Sequence, residues 1–255
     1  MYTTEMGIGR IENMLVEVSK HRPLCFILID SESLEYNSAA ELAKRAEMLM
    51  ADAILVGGSS VIDQIELDGV VAAIKSNTSI PVILFPGNIT GITAKADAIL
   101  FSSLLNSENP YFITQAQALG ALYVKKYRLE AIPMGYLVIG EGSSVWFVGR
   151  ARGIPTDKPK LAVMHALAAQ YMGMRALYLE AGSGVNSSVK PEMVSAVRAN
   201  FEGLLIVGGG IKDKSAAVML AEAGADVIVI GTIFEKGEYD KVKDIVDGLR
   251  GIRRG

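Results

Sequence analysis

Residues 204–232 read LLIVGGGIKDKSAAVMLAEAGADVIVIGT. Two apolar runs, 204–207 and 227–230, flank an Ala- and Leu-rich helical stretch over 214–223. Each run is apolar at every position, which is the pattern of a strand covered on both faces. The connection is long enough for a crossover through a helix. Asp213 stands where an N-cap side chain accepts a backbone N–H. The segment reads as one βαβ unit of a parallel sheet. Gly208, Gly209 and Gly210 follow its first strand, and Gly231-Thr232 follows its second.

The same rhythm extends to both ends of the chain. Further strand candidates lie at 24–29, 53–56, 81–84, 98–101, 136–139 and 176–179. Helical patterns between them include 38–50, 61–76, 110–127, 158–172 and 191–199, the last opened by Pro191 at a first-turn position. Eight strands alternating with helices over 255 residues is the arithmetic of an α/β protein with a single TIM-type (β/α)8 barrel spanning 1–255. A doubly wound sheet usually has fewer strands and an early Gly-rich turn. One connection breaks the rhythm: residues 85–97 hold Pro86, Gly87 and Gly91 and are short for a covered crossover. The third helix is therefore expected to be missing or replaced by an irregular segment. The gap either admits a long apolar ligand or is plugged by the loop itself. The segment 141–159, rich in Gly, Ser, Arg and Pro, reads as a mobile cover on the same face.

Composition narrows the function. Half of the residues are hydrophobic and 21% charged, so a large core is available. Twenty-five basic against 28 acidic residues give a net charge of −3, which offers no basic face for nucleic acid. A single cysteine, Cys25, excludes an intrachain disulfide framework and a multi-cysteine metal cluster. The first residues lack a secretory pattern, and no apolar run reaches the ~18 residues of a membrane span. A cytoplasmic protein with no transmembrane segment is expected.

Active sites of such barrels form at the C-terminal ends of the strands. The glycines after strands 7 and 8 either make tight turns or let backbone N–H groups approach an anion; their coincidence at these two strands favours a phosphate. Strand 6 ends in Tyr178-Leu179-Glu180-Ala181-Gly182-Ser183-Gly184. Alternation puts Tyr178 and Glu180 on one side, towards the mouth, and Leu179 towards the helices. A carboxylate repels a phosphate, so Glu180 is suited to hold or deprotonate a hydroxyl. Strand 1 ends in Asp30 and strand 2 runs into Gly57-Gly58-Ser59. A carboxylate and a hydroxyl on neighbouring strand ends suit a Mg²⁺ ion that keeps several waters and shares substrate phosphates, although Asp also commonly caps such turns. His21, His165 and the methionines read as structural or exposed.

These residues carry a resemblance that covers nearly the whole chain. Its specific elements are Phe85-Pro86-Gly87-Asn88, Ile132-Pro133-Met134-Gly135-Tyr136, Ala168-Ala169-Gln170-Tyr171-Met172-Gly173-Met174, the run from Tyr178 to Gly184, and the spacing from Asp30 to Ser59. The chain resembles the geranylgeranylglyceryl phosphate synthases, archaeal prenyltransferases that join sn-glycerol 1-phosphate to geranylgeranyl diphosphate. It departs from them after strand 1, where Asp30-Ser31-Glu32-Ser33 stands in place of Asp-Pro-(Asp/Glu)-Lys. The resemblance implies Mg²⁺ ligation by Asp30 and Ser59. It implies glycerol phosphate binding by Tyr178, Leu179, Glu180, Ala181, Gly182, Ser183, Gly184, Gly209, Gly210, Gly231 and Thr232; Glu180, from its own chemistry above, is the expected catalytic group. It also implies the first ether-bond step of archaeal membrane lipid synthesis, a homo-oligomer (dimer or hexamer) and transient membrane contact for product release. The alternatives are a heptaprenylglyceryl phosphate synthase, against which the 132–136 run argues, another phosphate-binding barrel that acts as isomerase or lyase, and a non-enzymatic lipid-binding scaffold.

Overall fold

Strands that are apolar at every position must sort their side chains between two buried faces, and a period of two does this sorting. In the computed structural model, which describes residues 7–32, 34–58, 63–185 and 187–254, the strands close into a parallel barrel in chain order. The elements run α1 (Arg10–Ser19), β1 (Leu24–Asp30), α2 (Tyr36–Met48), β2 (Ala53–Gly58), α3 (Gln64–Lys75), β3 (Val82–Pro86), β4 (Ala98–Leu104) and α4 (Ala116–Tyr127). Then follow β5 (Glu130–Val138), α5 (Ser144–Val148), α6 (Pro159–Tyr171), β6 (Ala176–Glu180), α7 (Pro191–Arg198) and β7 (Leu204–Gly208). The chain continues through α8 (Lys214–Glu222), β8 (Val227–Ile230), α9 (Thr232–Glu235) and α10 (Tyr239–Gly251). The last strand pairs with the first, Leu24 opposite Val227 and Cys25 opposite Ile228.

Alternate residues of every strand, among them Phe26, Leu55, Leu100, Met134, Ile206 and Val229, meet in one inner cluster. The intervening residues, such as Ile27, Val56, Leu179 and Val207, pack outward beneath the helices. At the N-terminal ends of the strands, α1 plugs the barrel by adding Ile11 and Leu15 to the inner cluster. Its first turn has no cap of its own. Instead the Glu130 carboxylate at the start of β5 accepts from the N–H groups of Ile11 (2.9 Å) and Glu12 (2.7 Å). Glu12, 1% exposed, is held in turn by both guanidinium arms of Arg175, at 2.6 and 2.8 Å.

The crossover from β3 to β4, residues 87–97, carries a single 3₁₀ turn, Ile89–Gly91. The chain before α4 is wound as a π-turn, Tyr111–Gln115, and the Tyr111 hydroxyl donates to the side chain of Asn88. The segment expected to be a mobile cover is joined to its surroundings by several hydrogen bonds. The buried Asn106 donates to the carbonyls of Val138 and Arg152 (both 2.9 Å) and accepts from the Val138 N–H. The Ser107 hydroxyl donates to Gly149, and Ser143 caps α5. A polar residue buried at the root of this segment costs little only if its bonds are all made, so Asn106 ties the segment to β5.

Candidate active site

The C-terminal mouth of the barrel is centred on Glu180, the last residue of β6. Only 7% of it is exposed. One carboxylate oxygen accepts from the N–H of Gly182 at 2.5 Å, and the other from the Tyr136 hydroxyl at 3.2 Å. Burial pushes its pKa above the ordinary carboxylate value, and the bonds from Gly182, Tyr136 and Tyr178 hold it back. The phenols of Tyr136 and Tyr178 are pushed well up, by burial first and then by the charge of Glu180, so both remain protonated donors. Their rings meet edge-on at 5.2 Å, and Phe85 of β3 stacks on Tyr178 at 5.2 Å. The result is an aromatic floor beneath one carboxylate.

Above this floor the turns after β6, β7 and β8 converge. Gly209 has φ +83°, and a Cβ there would lie 2.4 Å from a Glu180 oxygen and 2.5 Å from the Gly182 nitrogen. Only glycine fits so close an approach in that conformation. Gly210 is equally tight against Ser187, whereas Gly184 faces open space. The hydroxyls of Ser183 and Thr232 stand 3.4 Å apart and link the β6 and β8 turns. At Gly231 a Cβ would meet nothing closer than Leu28 at 3.6 Å. Leu179 and Ala181 pack their side chains in the outer core, so only their main chain faces this region. The fold thus brings together the residues singled out on strands 6 to 8. The two rings that complete the floor, Tyr136 and Phe85, are not among the site residues that the sequence singles out. Their signal was register, since Tyr136 lies directly opposite Tyr178.

Asp30 stands on the other side of the mouth, at the end of β1. One of its carboxylate oxygens accepts from the N–H of Glu32 at 3.0 Å. Gly58 lies against it, and a Cβ there would fall 2.5 Å from that oxygen. The Asp30 N–H donates to the carboxylate of Glu235, at the end of α9, at 3.3 Å. Partial burial pushes the pKa of both carboxyls up, although both stay open to solvent, and the charge of Asp30 adds to the effect on Glu235. Ser59 lies outside the described residues. Among the described residues no cluster of three or more His, Cys, Asp or Glu side chains is placed to hold a metal. Any cation here would complete its shell with waters and substrate oxygens, which is how Mg²⁺ is commonly held.

An apolar cleft opens on the same mouth. It runs from Gly58 and Tyr136 past Phe85, Leu100 and Phe112 to Gly120 on α4. It lies beside the β3–β4 crossover, with Ile89 and Ile92 in its wall. Among the described residues no helix is long and apolar enough to cross a membrane.

Comparison with known proteins agrees with this geometry. Residues 17–249 match the model of the PcrB family. The geranylgeranylglyceryl phosphate synthase of Cenarchaeum symbiosum is 60% identical over 96% of this chain and 100% of its own. That of Nitrosopumilus maritimus is 58% identical over 96% of this chain and 99% of its own. The crystal structure of (S)-3-O-geranylgeranylglyceryl phosphate synthase from Thermoplasma acidophilum, in complex with its substrate sn-glycerol 1-phosphate, superposes with a TM-score of 0.92 at 39% identity, covering 96% of this chain and 100% of that one. With the family model matched over most of its length and relatives this similar, the chain belongs to the PcrB family, among the geranylgeranylglyceryl phosphate synthases.

Proposed function

We propose that this protein transfers a geranylgeranyl group from geranylgeranyl diphosphate to the 3-hydroxyl of sn-glycerol 1-phosphate, releasing diphosphate. One observation carries the reading: Tyr136 both lines the apolar cleft and donates a hydrogen bond to Glu180. A greasy chain laid in the cleft would therefore end at a polar mouth that holds a buried carboxylate. The relatives' names, and the glycerol phosphate bound by the Thermoplasma acidophilum protein, support the same assignment.

In this mechanism sn-glycerol 1-phosphate is bound by the run from Tyr178 to Gly184 and by the turns at Gly209, Gly210, Gly231 and Thr232, with its phosphate on the glycine turn backbones. The glycerol hydroxyl then lies beside Glu180. The bond from C1 to the diphosphate oxygen breaks, the bond from C1 to the glycerol oxygen forms, and Glu180 takes the hydroxyl proton. Tyr136 and Tyr178 fix the carboxylate so that its free lone pairs face the acceptor. Holding both reactants turns a two-body encounter into a local step, worth up to ~7–11 kcal/mol of barrier. The cleft contributes ~0.8 kcal/mol per buried CH₂ towards binding the C20 chain. The oxygen donors at Asp30, opposite the glycine turns, fit a hard divalent cation, and Ser59 is assigned with it. When bound there, Mg²⁺ would neutralise the charge that builds on the departing diphosphate. The proposal includes a cytoplasmic homo-oligomer that touches the membrane when product leaves. The exposed Leu119 and Leu122 on α4 and Phe147 on α5, elements that both wall the cleft, support that contact.

The test is transfer of radiolabelled prenyl groups from C15, C20 and C35 diphosphates to sn-glycerol 1-phosphate, with and without EDTA. Preference for C20, lost with EDTA, is expected. Preference for C35 would assign a heptaprenyl transferase, and no transfer from any donor would remove the prenyltransferase reading.

A further inference from the structure

We propose that Glu235 is the second carboxylate of the divalent-cation site headed by Asp30; this rests on the metal reading given above. Strand β1 and helix α9 come from opposite ends of the chain, yet Glu235 accepts the Asp30 N–H at 3.3 Å. A neutral acceptor would satisfy that N–H equally well. The next amide along, that of Ser31, is satisfied in just this way by the Gly57 carbonyl at 3.2 Å. A carboxylate in the same role instead brings a second negative charge to the end of β1, where Asp30 and Glu235 are both open to solvent. A cation that reaches this exposed pair from solvent would be attracted by both charges. The surroundings leave room for one. Gly58 presents no side chain where any Cβ would strike the Asp30 carboxylate. One or two carboxylates, several waters and substrate phosphate oxygens are the ligand set that Mg²⁺ commonly takes. Glu235 thus acts as a positioning residue twice over, by anchoring the Asp30 main chain and by lending charge to the cation.

The two roles separate by substitution. Glu235→Gln keeps an acceptor for the Asp30 N–H and loses the charge, whereas Glu235→Ala loses both. The probe is Mn²⁺, titrated by electron paramagnetic resonance into the full-length protein in excess inorganic diphosphate, with thermal unfolding measured without metal as the control. Glu235→Gln is expected to weaken Mn²⁺ binding ~10–100-fold, the usual cost of losing a supporting group at a metal site, without lowering Tm. Asp30→Asn is expected to abolish binding. Mn²⁺ affinity unchanged in Glu235→Gln but lost in Asp30→Asn would overturn the proposal and leave the metal reading standing. Weakening in Glu235→Ala alone would reduce Glu235 to a main-chain anchor and overturn the proposal as well. Unaltered binding in Asp30→Asn, or none by the unaltered protein, would remove the metal reading and this proposal with it.

Discussion

Glu180 is buried and accepts on both oxygens, from the Gly182 N–H on one and the Tyr136 hydroxyl on the other; an amide would keep only one of these acceptors. On the proposed function, its charge serves the reaction rather than the fold. Glu180→Gln should lower kcat by at least ~10²-fold, the common range for losing a general base, with prenyl diphosphate affinity within a few-fold. A loss confined to the KM for sn-glycerol 1-phosphate would mean uniform binding instead. The same variant carries a stability signature. The folded-state pKa of Glu180 is raised, so its favourable contribution is complete below the unfolded carboxylate value of ~4.3 and is lost as pH rises through the folded value. The Tm of Glu180→Gln should exceed that of the unaltered protein at pH 8, and the gap should close towards pH 4. The glycines divide more finely than sequence allowed. Gly209→Ala must strain a left-handed turn and strike Glu180, so both stability and the acceptor KM should suffer. Gly231→Ala meets only ordinary contact with Leu28, so a raised acceptor KM at unchanged Tm would place the phosphate there. An acceptor KM unchanged in both variants would move the phosphate elsewhere. Glu180 and the glycine turns were legible because strand alternation fixes which residues reach the mouth. Glu235 was not, since its meaning depends on a contact with a strand at the far end of the chain.

Among the elements, β5 and α1 show where local pattern fails. The strand was read from residue 136, but it begins at Glu130. Pro133 and Gly135 interrupt the expected run, yet Gly135 is where Leu105, Leu177 and Ala169 crowd in, and any Cβ there would lie 2.8–3.2 Å from them. Helix α1 offers no capping residue in its own sequence because Glu130 supplies the cap from afar. Removing that cap by Glu130→Ala should cost about 1 kcal/mol in urea unfolding. Arg175→Ala should cost about 3 kcal/mol or more, because it leaves Glu12 charged and buried without its partner. If the loss is uncompensated charge, the double variant Glu12→Met, Arg175→Met should recover much of it. A double variant no better than Arg175→Ala would assign the loss to packing. The strands on either side of the mouth were readable for the opposite reason. Being buried on both faces makes them continuous apolar runs with little room for ambiguity.

At the scale of the whole molecule, the barrel has a seam where β8 meets β1. Cys25 lies on it, fully buried opposite Ile228, and burial pushes its thiol pKa far up. A thiol reagent should therefore label Cys25 only when the seam opens. Its labelling rate should follow global unfolding in urea, and fast labelling of the native protein would show that the seam breathes on its own. The closed architecture was legible from the count and spacing of strands. The closing pair was not, because nothing local to Leu24 or Val227 says that they meet. The seam also sets a timetable. During synthesis β1 is made about 200 residues before the strand that must cover its open edge. At about 5–20 residues per second that is an interval of roughly 10–40 s. For that time the nascent sheet is a curved ribbon with an apolar, unpaired border, the kind of edge that recruits neighbouring chains. The protein is thus most exposed to misassembly before it is complete, and its last strand works as a clasp as well as a wall of the site.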